Sequence, residues 1–117
     1  MEQSLIEIFS AKNEMVKKGQ IVEATDKYFA TDAKTVDFDG TITNSKSEML
    51  SKMNGFANAI ARVNSITLHH TALSGDVSFA EFTFDFDMKD GSKIYWHETL
   101  RTIWKNGQII EEQYFKA

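Results

Sequence analysis

An α+β layer architecture, with helices gathered on one face of an antiparallel sheet, is the fold class this sequence predicts, on three observations. Between Val77 and Phe115 three alternating runs, VSFAEFTFDFDM, KIYWHETLRTIW and IIEEQYF, are joined at KDGS and KNGQ. Asp-Gly and Asn-Gly in such places signal hairpins, because glycine accepts the positive φ that the loop needs. Helical periodicity, in contrast, is confined to the N-terminal half. Finally, no repeat, linker or low-complexity stretch separates the two parts, so residues 1–117 read as a single domain whose helices cover the apolar face of the sheet.

Residues 4–17 predict the first helix: Ser4 with Glu7 suits a capping box, and Leu5, Ile8, Phe9, Met15 and Val16 make a broken apolar stripe that Gly19 ends. A second helix over 20–30 carries Ile21, Thr25 and Tyr28 on one face, so the two pack as a helical hairpin. KTVDFD, residues 34–39, reads as a short strand closed by Gly40, with Asp37 and Asp39 sharing one face. A third helix begins near Ser45, whose partner Glu48 completes another capping box, and shows Met49, Leu50, Met53, Phe56, Ala57 and Ile60 at helical spacing. Alternation returns at 66–73, and Ser74, Gly75 and Asp76 turn the chain into the meander.

A three-residue loop of Lys89, Asp90 and Gly91 pairs Met88 with Ser92 and aligns Phe86 with Ile94, Phe84 with Trp96 and Phe82 with Glu98. One face then reads Phe82, Phe84, Phe86, Ile94, Trp96, Glu98, Leu100, Thr102 and Trp104. The other collects Glu81, Thr83, Asp85, Asp87, Tyr95, His97, Thr99 and Arg101, a composition suited to solvent or to a second subunit. A two-residue turn would slip this pairing by one and mix charge into both faces, so the first register is preferred.

With 42% hydrophobic and 26% charged residues the composition is that of an ordinary soluble domain, and no apolar run approaches membrane-spanning length. The start MEQSLIEIFS has no basic leader and the chain has no cysteine, which together predict a cytoplasmic location and exclude thiolate chemistry, thiolate metal sites and disulfides. A formal charge of −4 argues against nucleic acid and anionic membranes as partners. Glycine spacing excludes GxGxxG and Walker loops, and no GxSxG elbow is present. His69 and His70 adjoin on one strand and point to opposite faces, no HxH or HExxH occurs, and His97 faces out, so no metal and no cofactor is expected.

Trp104, Asn106, Gly107, Ile109 and Tyr114, in TIWKNGQIIEEQYF, together with GQIVEATDKYFATDAKTVDFDG, resemble the SnoaL-like branch of the nuclear-transport-factor-two-like (NTF2-like) superfamily. The resemblance covers nearly the whole chain. It implies three N-terminal helices packed on a strongly curved, mainly antiparallel sheet forming a conical half-barrel, a small-molecule cavity in its mouth, and homodimers through the outer sheet face. Relatives of this shape include ketosteroid isomerase, polyketide cyclases, limonene-epoxide hydrolase, scytalone dehydratase and non-catalytic modules. Of the isomerase's functional groups, the oxyanion-stabilising acid falls at Leu100, the helix-one tyrosine near Lys12 and the base near Asp37, Phe38 or Asp39. Only the base has a counterpart, so steroid isomerisation is not expected.

The candidate site is a pocket for a small apolar molecule, lined by Tyr28, Phe82, Phe84, Trp96, Leu100, Trp104 and Tyr114, with Glu98, His70 and Asp37 as candidate catalytic groups. Among aromatics Glu98 should hold a proton near neutrality and act as a general acid or donor; equally, it could accept from Tyr114, Tyr28 or Thr102 and brace the cavity, and the other register would expose it. Alternation with Ile66 and Leu68 points His70 inward as its partner, or as a satisfied core histidine. Asp37, or Asp39, reaches the mouth or remains a solvated turn residue, and Tyr28 serves the pocket or only the core.

Overall fold

The computed structural model describes residues 4–117; the reading of the first residues as lacking a leader falls partly on positions outside them. Chain order is α1 (Leu5–Lys17), α2 (Ile21–Tyr28), β1 (Phe29–Val36), β2 (Ile42–Asn44), α3 (Lys46–Ala59), β3 (Ile60–Ser74), β4 (Val77–Met88), β5 (Lys93–Lys105) and β6 (Gln108–Lys116). The strands form one open six-stranded sheet in the order β2-β1-β6-β5-β4-β3. Every neighbouring pair is antiparallel except β1 and β6, which run parallel.

Local chemistry explains the helix starts. Ser4 and Glu7 form the complete capping box at α1, whereas at α3 Ser45 caps the Glu48 N–H without the reciprocal bond. The meander follows the three-residue loop: Met88 N–H donates to Ser92 O at 2.9 Å, Gly91 takes φ +89°, and Phe82, Phe84 and Phe86 pair with Glu98, Trp96 and Ile94. Even positions of β5 therefore face the helices. At the second hairpin Asn106 and Gly107 both take positive φ, matching the right-handed twist of the flanking strands.

Three expectations are corrected. α2 stops at Tyr28, and the chain passes directly into β1, which begins at Phe29 and ends at Val36 instead of spanning 34–39. Asp37 and Asp39 consequently lie in the β1–β2 turn, where Asp37 N–H donates to Thr41 O and Asp39 Oδ1 accepts from Thr41 N–H, both at 2.9 Å. β3 is longer than 66–73, and its register shifts between Leu68 and His70. That irregularity cancels the alternation used to send His70 inward.

The core lies between α1–α3 and the inner sheet face. Phe29, Phe82, Phe86 and Ile109 are essentially inaccessible. Trp104 meets Phe9 and Tyr28 edge-on at 6.5 and 6.3 Å, and its indole N–H donates to Ser78 Oγ at 2.8 Å. This satisfies the one polar atom of the largest buried ring. No helix among the described residues is long and apolar enough to cross a membrane.

Candidate functional site

Between the helices and β4–β6 the fold leaves a cavity of about 340 Å³, at the small end of the range for ligand pockets. The sheet contributes Phe84, Phe86 and Leu100, and α3 contributes Met49, Met53 and Phe56. Trp96 stacks on Phe56 with centroids 5.5 Å apart and rings 14° from parallel, which fixes the indole as a wall. Phe38, half exposed in the β1–β2 turn, forms part of the rim.

Glu98, Asp37 and Tyr114 also line this cavity. Tyr28, Phe82 and Trp104 do not: the core packing just described encloses them behind the wall. His70 is placed on the outer sheet face, its side chain 84% exposed, with Nδ1 2.8 Å from Glu81 Oε1. His97 Nε2 approaches the other Glu81 oxygen at 2.6 Å, and His69 Nε2 lies 2.6 Å from Thr83 Oγ1. All three histidines thus gather outside the cavity, because the β3 irregularity brings both His69 and His70 over outward-facing residues of β4. No group of three or more metal-ligating side chains forms among the described residues.

Burial, supported by the nearby Glu112 and Asp37 charges and opposed by Lys116, raises Glu98 from 4.5 to about 7. No hydrogen bond contributes to this shift. Two of the three hydroxyls expected to brace it serve another acid: Thr102 Oγ1 donates to Glu112 Oε2 at 2.7 Å and Tyr114 OH to Glu112 Oε1 at 2.9 Å. Lys12 Nζ completes the arrangement at 2.6 Å from Glu112 Oε2, both side chains being about 95% buried. Burial also pushes the Tyr114 phenol well above its usual range. Asp37 is raised as well, first by burial and then by Asp39, with Lys52 opposing; Lys52 itself donates to Thr43 Oγ1 at 2.7 Å.

Sequence reasoning missed the Lys12–Glu112 pair. Two signals were available: position 12 lies on the apolar stripe of α1, between Ile8 and Val16, and position 112 shares a strand face with Tyr114. Their separation of 100 positions conceals the pairing itself. What the site offers chemically is an apolar chamber with an acid raised to about 7 on one wall and a buried ion pair beside it. An acid titrating near neutrality can release and recover a proton at little cost in driving force.

No family profile and no curated protein matches the chain. Solved structures do. A protein from Mesorhizobium loti described as a SnoaL-like polyketide cyclase superposes with a TM-score of 0.84 at 24% identity, covering 97% of this chain and 99% of that one. An NTF2-like protein of unknown function from Burkholderia pseudomallei gives 0.79 at 10% identity over 99% and 92%. A protein with a ketosteroid isomerase-like fold from Catenulispora acidiphila, solved in complex with trimethylamine, gives 0.73 at 14% over 98% and 86%. The chain has the NTF2-like cone fold.

Proposed function

We propose that this NTF2-like cone binds a small, mostly apolar molecule in its cavity and that Glu98 exchanges a proton with it, without a cofactor, in a reaction of the isomerase, cyclase or dehydratase type. The observation that carries this reading is an acid facing an apolar chamber, held near pKa 7 chiefly by burial, with no hydrogen bond contributing to that value. Asp37 is the second acid within its electrostatic reach. A cytoplasmic location belongs to this reading, and a chain without cysteine is compatible with it. A non-enzymatic ligand-binding module is the second reading, favoured by the outward His70, which leaves Glu98 without an imidazole partner.

A thermal-shift screen of small hydrophobic ketones should find compounds that, at about 100 times their dissociation constant, stabilise the protein by roughly 2.7 kcal/mol. Wild type should then exchange the ketone's α-hydrogens with deuterium oxide, and Glu98→Gln should bind with little exchange. Binding without exchange in either protein selects the module; no stabilisation by any compound defeats both readings.

The outer sheet face is proposed to seat a second copy of the chain. Tyr95, Phe79 and Phe115 are exposed there, beside Arg101 placed 3.7 Å from Glu111, a mixture that favours interfaces. Light scattering should give twice the 13.3 kDa chain mass, falling to the single mass in Tyr95→Glu. A wild-type monomer at micromolar concentration sinks the dimer.

A further inference from the structure

The rim of the cavity already holds a positive charge. Lys116, cross-strand from Glu98, lays its ammonium 4.2 Å from the Phe38 ring centroid and 5.9 Å from that of Trp96. Glu98 feels this charge across space without a hydrogen bond to it. The other cations of the cavity are engaged: Lys12 by Glu112 and Lys52 by the Thr43 hydroxyl. Two aromatic faces and the Glu98 carboxyl, itself within electrostatic reach of Asp37, thus border a place occupied by an exposed side chain. Lysine leaves such a place readily, since water solvates its ammonium well.

The geometry points to a binding site for an organic ammonium ion with an apolar body, whose cationic head replaces the Lys116 ammonium between Phe38 and Trp96, facing Glu98. The body then lies against Phe56, Phe84 and Leu100 inside the chamber. An anionic head would instead meet Glu98, Asp37 and Asp39 on the cavity lining, where the Lys52 charge already acts on Asp37 and Lys12 is bound by Glu112, while a neutral one would leave the ring faces without a charge to attract. The inference rests on the reading that the cavity holds a ligand, and adds the ligand's charge.

Proton linkage follows. The charged groups influencing Glu98 are Glu112 and Lys116 on β6 and Asp37 in the β1–β2 turn, with the Tyr114 phenol beside them; Asp39 and Lys52 act on Asp37 in turn. An ionised Glu98 pairs with the bound cation and a protonated one does not. Because half of Glu98 is protonated near pH 7, the binding-competent fraction, and with it the affinity, falls roughly tenfold from about pH 8 to about pH 6.

Calorimetric titration with benzyltrimethylammonium and its neutral carbon isostere neopentylbenzene tests the assignment. The cation should bind wild type more tightly than the isostere and lose roughly tenfold in affinity over that interval. Lys116→Met should bind the cation more tightly, because the competitor is gone, and Glu98→Gln more weakly and without the pH dependence. An isostere that binds as tightly as the cation, or a Lys116→Met protein that binds the cation no better than wild type, overturns the ammonium site while leaving the ligand cavity standing. Binding of neither compound to any of the three proteins removes the cavity reading, and the ammonium site with it.

Discussion

Lys12→Met is expected to destabilise the protein by about 3–5 kcal/mol, because it strands the Glu112 carboxylate in the interior without its counter-charge. Lys12 and Glu112 are 4% and 3% exposed, so water cannot take the place of the missing ammonium. Thr102 and Tyr114 still donate to Glu112, but two neutral hydroxyls do not neutralise it. Lys12→Met combined with Glu112→Gln should recover much of the loss, since a neutral amide keeps an acceptor for those hydroxyls and needs no cation. Urea unfolding of wild type, both single variants and the double variant measures the coupling directly. A single-variant cost below about 1 kcal/mol is the surface-pair value and would contradict the burial assigned to this pair. Folding does not require a buried ion pair, and apolar replacements of such pairs are often neutral. Both residues of the pair lie on the wall of the chamber.

Glu98→Gln should stabilise the protein above neutrality, the opposite of what removing a paired carboxylate does. The folded state raises Glu98 from 4.5 to about 7, so between these values the folded chain holds a proton that the unfolded chain has released. Stability contributed by this group is therefore fully present below about pH 4.5 and is lost as pH rises through 7. After allowance for solvent screening of its exposed part, the loss at about pH 8 is roughly 1–3 kcal/mol. Glutamine resembles the protonated acid at every pH and escapes the penalty. Paired denaturation curves should nearly coincide at about pH 4 and separate in favour of the variant toward about pH 8. A variant less stable than wild type across the whole range would mean that Glu98 is braced by the fold, as the alternative sequence reading allowed.

What could be read from the chain followed the range of its interactions. Gly91 and Asn106-Gly107 are local signals, and they determined the meander, the β4–β5 pairing and the inward placement of Glu98. The capping residues Ser4 and Ser45 did the same for two helix starts. β1 was misplaced because its extended state depends on a distant partner: Phe29 pairs with Ile109 and Thr35 with Glu112, and the sequence FATDA shows no clean alternation to announce it. The β3 irregularity has no signature in LHHTA, yet it decided where two imidazoles went. Tyr28, Phe82 and Trp104 illustrate a different limit. Their inward direction was legible, but whether an inward ring borders empty space or other side chains depends on the elements that cover it.

β6 lies between β1 and β5, so the last of this sheet's strands to be made sits in the interior of the sheet. Until Gln108–Lys116 has emerged, β1 has only the three-residue β2 beside it and β5 keeps an open edge toward where β6 belongs. Vectorial synthesis therefore cannot finish this sheet piecemeal; closure waits for a long-range parallel pairing, the slow kind of step in β-topologies. A stalled nascent chain would display a long unpaired edge, which is the kind of surface that chaperones shield and that aggregates recruit.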